Sequence, residues 1–310
     1  MKYLVLSQII IFILFLKFYK LLPILETKNN NKIYSAGYFF AISLISYFIF
    51  APSPIEDKIT FIIFPLAAFI LGALDDYINI NPWIRLSIIA LLTFILITYD
   101  NNFNLNFINF NSVIYKIDFP LNILFTCLCF LLLINAMNFI DGINCLAGSV
   151  FLFFYSYLGY RVGIQIDLIF IVITSILFFL ILNYKNIWFL GDGSIYLLSF
   201  LIAQLIVLSF KENYETFQTE EILLLLYLPG FDLFRLFLDR SFKKKNPFIG
   251  DENHLHHYLK NKIGTNKTIT LYMLCLISPL FLYHFFLINN FICIFFCIII
   301  YLSILNYAKN

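Results

Sequence analysis

The chain has 310 residues, 62% of them hydrophobic and only 12% charged, with 39 Phe and 20 Tyr. A soluble domain carries about a quarter charged and about half apolar residues, so composition excludes a soluble globular protein and points to a single integral membrane domain. The net charge of +2 gives no sign of a nucleic-acid partner.

In chain order, apolar runs near the ~20 residues that a bilayer requires fall at about Tyr3–Leu25, Gly37–Ala51, Ile59–Leu74, Pro82–Thr98, Phe119–Ile134, Leu146–Tyr160, Leu168–Leu182, Ser194–Phe210, Ile222–Leu238, Ile269–Ile288 and Phe291–Tyr307. They predict an all-α, polytopic bundle of about eleven spans in one domain. The first run follows Lys2 and lacks a small-residue cleavage site, so it is expected to be retained as a span. The loop Tyr99–Asp118 alternates at Phe103, Leu105 and Phe107, which allows a small hairpin. The six cysteines lie in or against apolar runs with no CxxC spacing, and read as small buried hydrophobes.

Orientation follows from Lys and Arg. With the N-terminus outside, the outer segments hold Lys2, Lys58, Lys116, Arg161 and Lys211, and the other fifteen of the 20 basic residues lie on the cytoplasmic side. The outer acids, Glu220 and Glu221 among them, need only a solvated surface. The inner acids Asp75, Asp76, Asp141, Asp192, Asp232, Asp239, Asp251 and Glu252 each sit in or beside a polar cluster, in loops at about 26–36, 75–82, 135–145, 184–194 and 239–268.

Four clusters stand out. LGALDDY ends the third span with Asp75 and Asp76, adjacent carboxylates that either are wet or share a cation. NAMNFIDGINCLAG, Asn135 to Gly148, spaces Asn135, Asn138, Asp141 and Asn144 by three, so that on a helix they drift slowly round one face. Gly142 and Gly148 there would let other groups approach the backbone. WFLGDGS sets Asp192 between two glycines, either an ordinary turn or a carboxylate beside amides free to meet phosphate. The loop Arg240–Lys267 carries RSFKKK and then NPFIGDENHLHHYL, with His254, His256 and His257. HxH can bind zinc, but no further ligand set accompanies it, and beside a Lys run it more plausibly meets phosphate. His284 reads as packing. Acids, histidines and basic residues on one face describe a site for Mg²⁺ and phosphates, since Mg²⁺ favours one or two carboxylates together with substrate phosphates.

These clusters, in this order, resemble the polyprenyl-phosphate N-acetylhexosamine-1-phosphate transferases. LGALDDY matches the family's Asp-Asp motif and NAMNFIDGIN its Asn-x-x-Asn-x-x-Asp-Gly motif, and FLGDGS resembles its Phe-Met-Gly-Asp-x-Gly-Ser motif. PGFDLFRLFLDR, Pro229 to Arg240, resembles its penultimate conserved helix, and HLHH its cytoplasmic His motif. HLHH is similar to the branch that primes O-antigen, teichoic acid and capsule synthesis rather than the muramoyl-pentapeptide branch. The resemblance implies transfer of a sugar-1-phosphate from a UDP-sugar to polyprenyl phosphate with release of UMP. It implies Mg²⁺ as cofactor, with Mn²⁺ as the substitute ion, a bacterial inner-membrane location and a homodimer as the assembly; the basic-residue bias with eleven spans puts the C-terminus in the cytoplasm.

By the same match, Asp75, Asp76, Asp141, Asp192, His254 and His256 are the expected catalytic residues, with Asp192, Asp75 and Asp76 at the metal. Asn135, Asn138, Asn144, Phe189, Glu252, Lys32 and Arg240 are expected at the substrate, Phe189 stacking on uracil. The chain departs from the pattern in three places. Asn144 stands where the family has a second Asp, Glu252 where it has Arg, and the loop Glu26–Ala36 keeps only Lys32 and Ala36-Gly37 of a basic, His-bearing motif. The alternatives are a homologue that binds UDP-sugar without turnover, and a transporter that uses the acids as an ion path.

Overall fold

The computed structural model describes residues 2–18, 36–51, 55–244, 253–286 and 290–309. Among them are twelve α-helices. In order, these are α1 Lys2–Phe18, α2 Ala36–Phe50, α3 Ile55–Ile78, α4 Pro82–Tyr99, α5 Leu121–Ile140, α6 Leu146–Arg161, α7 Ile166–Tyr184, α8 Gly191–Glu212, α9 Thr219–Phe242, α10 Leu255–Ile263, α11 Thr265–Phe286 and α12 Asn290–Lys309. Each apolar run of the sequence has its described part in one of these helices, residues 19–25 of the first run and 287–288 of the tenth lying outside the described residues, and α10 is the added short polar one. Seven of the described helices (α3, α4, α5, α7, α8, α11 and α12) are long and apolar enough to cross a membrane by length and composition. Large apolar side chains such as Ile84, Leu91 and Ile95 of α4 are exposed, as a lipid-facing surface requires. The protein is an all-α polytopic membrane protein.

Local chemistry sets several boundaries. Asn81 caps α4, accepting from the Trp83 amide at 2.9 Å, and Pro82 follows at the first helical position. Gly264 ends α10 at φ +81°, a conformation that costs glycine little. A helix apolar all round belongs inside, and α8 is buried along its whole apolar window. α3 lies along it, and α5 packs its Phe130 edge-on to Phe200 of α8 at 5.0 Å. The loop before α8 is anchored by buried Trp188, which packs against Phe12 and Phe15 of α1 and Phe39 of α2 at 6.3, 5.1 and 5.4 Å.

At the opposite end from Asp192, β1 Phe107–Phe110 and β2 Val113–Lys116 form the hairpin. Its turn uses Asn111 and Ser112, both at positive φ, which suits a tight hairpin. The Asn109 amide donates to Thr219 Oγ1 at 3.1 Å and the Asn111 amide to Glu220 Oε1 at 2.6 Å, tying the hairpin to the start of α9.

Three sequence expectations fail at this end. Glu220 and Glu221 are fully buried, where solvated surface was expected. Glu221 accepts from Arg161 Nε at 2.7 Å and Nη2 at 3.1 Å and from the Tyr157 hydroxyl. His284, expected only to pack, places Nε2 2.7 Å from Tyr157 Oη and 3.5 Å from Glu221 Oε1. Burying a carboxylate is costly unless it is paired and hydrogen-bonded, and α6 and α11 supply those partners to α9.

Candidate functional site

Two constellations gather the sequence motifs, the first where α3 crosses the start of α8. A Cβ on Gly72 would lie 2.4 Å from the Asp192 carbonyl oxygen and 2.7 Å from the Gly193 nitrogen, so only glycine permits this approach. The approach delivers Asp76 to the helix start, where its carboxylate accepts from the Asp192 and Gly193 amides at 3.0 and 3.2 Å. It thereby satisfies donors that a helix N-terminus leaves open and sits at the positive end of the helix dipole. The expectation of amides free to meet phosphate is corrected accordingly: Asp76 takes both. WFLGDGS is also not wholly loop, because Gly191 and Asp192 already belong to α8.

Asp75 is buried and accepts from the Ile80 amide at 2.7 Å and from Arg85 Nη1. The same Arg85 nitrogen lies 3.6 Å from Asp192 Oδ2. The Asp192 side chain keeps 27% exposure. Two carboxylates therefore meet one guanidinium, with Asp76 held beside them by the α8 amides. Arg85 was not singled out in the sequence. The available signal was an arginine one turn into an apolar helix, which needs a partner to be tolerated there.

The second constellation joins the end of α5 to α9 and α10. Helix α5 stops at Ile140, so only Asn135 and Asn138 share its surface, and the expected helical drift breaks before Asp141 and Asn144. Gly142 meets the histidines: a Cβ there would lie 2.2 Å from His256 Nε2 and 2.6 Å from His257 Nε2. His254 is the extended N-cap of α10, and its ring stacks on His256 at 5.4 Å. Phe139 lies between His254 at 4.9 Å and the buried Arg240, whose Cζ is 5.3 Å from its ring centre. Burial, then the neighbouring His257 and His254, push the His256 ring down to a pKa of about 3, so it is neutral at pH 7.

Asp232 holds this group together, and the sequence reading did not place it in the site. One of its oxygens accepts from Arg235 Nη2 at 2.8 Å and the Tyr301 hydroxyl at 2.9 Å, and the other from the Leu255 amide at 3.2 Å, with His254 Nδ1 at 3.5 Å. An acid three residues after Pro229 inside an otherwise apolar helix was the signal that could have found it.

The remaining expected residues are placed as follows. The Asn135 side chain donates to its own helix, at Leu131 O (2.7 Å), and Asn135 lines an apolar cavity of about 830 Å³. The Asn138 carbonyl accepts from the Asp141 amide, which ends α5. Asn144 donates to the Asn186 side chain, tying the loop after α5 to the loop after α7. Phe189 is half-buried just before α8. Lys32 and Glu252 lie outside the described residues.

The cavity is bounded by α5, α8 and α9. It runs from Leu105 and Phe210 to Leu86, which follows Arg85 in α4, and to Asn135 and Phe139 at the end of α5. Among the described residues no group of three or more His, Cys, Asp or Glu side chains could hold a metal ion. The excess of carboxylate over guanidinium nevertheless fits a hard divalent cation, which needs only one or two protein carboxylates beside a phosphate.

Acids gathered at helix ends at the same end of the bundle as an apolar cavity define a polytopic membrane protein with polar groups at one end of its helices. Residues 59–210, which carry Asp75, Asp76, Asp141 and Asp192, match the family model of glycosyl transferase family 4. The chain is 29% identical over 212 residues to an undecaprenyl-phosphate α-N-acetylglucosaminyl 1-phosphate transferase of Thermotoga maritima, covering 67% of this chain and 64% of that protein. It is 26% identical over 211 residues to a protein of the same name from Escherichia coli O157:H7, covering 64% of this chain and 56% of that one. The match thus spans less than two-thirds of either relative's length. These similarities support the family of polyprenyl-phosphate N-acetylhexosamine-1-phosphate transferases.

Proposed function

We propose that the protein transfers an N-acetylhexosamine-1-phosphate, with N-acetylglucosamine the first candidate from the relatives' names, from a UDP-sugar to a polyprenyl phosphate. The observation that carries this reading is the juxtaposition of the carboxylate cluster and the apolar cavity, through Leu86 beside Arg85. The cavity has the character required for an isoprenoid tail, and the cluster that required for a bridged pair of phosphates.

An oxygen of the lipid phosphate attacks the β-phosphorus of the UDP-sugar. The bond from that phosphorus to the bridging oxygen breaks, and UMP leaves with the electron pair. A phosphate monoester has its second pKa near ~6, so the nucleophile is largely ionised without a dedicated base. When bound, Mg²⁺ would supply charge neutralisation between the two anions. Asp192, the partly exposed carboxylate, would hold it, with Asp75 at its side. Asp76 fixes the start of α8, and so the place of Asp192. His254, His256 and Arg240 border the space beyond Asp141, where the nucleotide or sugar would lie. By the basic-residue bias, this end faces the cytoplasm and the N-terminus lies outside.

The test is UMP release from a panel of UDP-sugars with undecaprenyl phosphate and Mg²⁺. Release with a UDP-N-acetylhexosamine that requires the lipid supports the reading. Binding of UDP-sugar with no UMP released would contradict it and make the chain a non-catalytic homologue.

A further inference from the structure

We propose that Arg85 is a resident counter-ion. It occupies the cation position between Asp75 and Asp192 and yields that position when a divalent ion binds, so that it sets the affinity of the site for the ion. This rests on the transferase reading above.

A purely structural arginine–carboxylate pair is strongest as a fork, two parallel N–H bonds to one carboxylate. Arg85 does otherwise. A single nitrogen, Nη1, serves both Asp75 Oδ2 and, at 3.6 Å, Asp192 Oδ2. Its Nε is buried with no hydrogen-bond partner, and a buried unsatisfied donor is a standing cost. The guanidinium thus forgoes its best geometry to sit between two carboxylates.

The surroundings allow it to leave. Asp75 keeps its place without Arg85, because its other oxygen accepts from the Ile80 amide at 2.7 Å. Asp76 is held by two amides and does not depend on Arg85 at all. Tyr196 of α8 offers an aromatic face, with Arg85 Cζ 5.9 Å from its ring centre, a favourable resting surface for a displaced guanidinium. A divalent ion at this position would then find two pre-placed carboxylates and would compete with Arg85 for them.

The experiment is a Mg²⁺ titration of the full chain in detergent without substrates, read by the thermal unfolding midpoint. Wild type is compared with Arg85→Gln, Arg85→Lys and Asp192→Asn. Removing a positive charge a few ångströms from the ion should lower the half-saturating Mg²⁺ concentration of Arg85→Gln by roughly tenfold or more. Arg85→Lys should lower it by roughly threefold, because an ammonium is more strongly hydrated and leaves more readily. Asp192→Asn should abolish the Mg²⁺-dependent shift. An equal or higher half-saturating concentration in Arg85→Gln, or in Arg85→Lys where Gln does not fold, overturns the proposal while leaving the metal reading intact. The absence of any Mg²⁺-dependent shift in wild type and Arg85→Gln alike overturns both.

Discussion

The two ends of the bundle bury acids in the same way and use them differently. At the hairpin end, Glu221 meets an arginine fork, a tyrosine hydroxyl and a nearby histidine. Donors match acceptors, and three helices are clamped. At the other end, Asp75 and Asp192 share one guanidinium that offers a single nitrogen, with Asp76 beside them on the amides of α8. A buried network that is satisfied fixes structure, whereas one left with surplus charge calls for something from outside. Charge balance, more than burial, separates clamp from site in this molecule.

The largest expected effect comes from deepening that imbalance at its exposed member. Asp192→Asn removes a charge and keeps the shape, and UMP release should fall roughly a thousandfold or more. The unfolding temperature should hold or rise, because one of three mutually repelling carboxylates is gone. Next comes Gly72→Ala. Its methyl group would meet the Asp192 backbone at 2.4 Å, forcing α3 off α8. Stability should fall by about 1–3 kcal/mol, and turnover by roughly a hundredfold as Asp192 moves relative to Asp75. Denaturant unfolding and UMP release check the two parts.

At the clamp the signs reverse. Glu221→Gln leaves Arg161 without its charge partner. Unfolding should become easier by about 2–3 kcal/mol, less than for a fully buried pair because Arg161 retains some water, while turnover of the folded fraction changes little. The smallest effect concerns pH. With the folded His256 pKa lowered to about 3, the unfolded chain, near the ordinary ~6.5, binds the extra proton as pH falls. The neutral ring costs no stability above ~6.5 and progressively more below it, at most about 1.4 kcal/mol per pH unit. Melting temperatures from pH 7.5 to 5 should therefore fall less steeply in His256→Gln than in wild type.

Much of this arrangement was legible in the sequence. The apolar runs became helices one for one because, in lipid, length and composition leave the backbone little choice. Asp75, Asp76 and Asp192 came together as their placement at helix ends on one side required. What stayed hidden depends on three-dimensional pairing. No local pattern shows that Asp76 would spend both oxygens on the amides of α8, that Gly142 would lie under the His256 ring, or that Arg85 would bridge two acids. Glu221 and His284 looked unremarkable because their partners lie 60 or more positions away from Glu221 in α6 and α11. The three-residue spacing of the Asn and Asp residues suggested a continuous helix, but α5 ends at Ile140, where the chain turns to let α10 approach.

The most direct measurement is a paired one: UMP release per folded molecule and the unfolding temperature, taken side by side on wild type, Asp192→Asn and Glu221→Gln. The account predicts a crossed result. Asp192→Asn should be inactive and at least as stable as wild type, and Glu221→Gln should be less stable with turnover within about threefold of wild type, the change expected for a residue remote from the reacting atoms. An active Asp192→Asn, or a stable Glu221→Gln that has lost turnover, would contradict the division of the molecule into a balanced clamp and an unbalanced site.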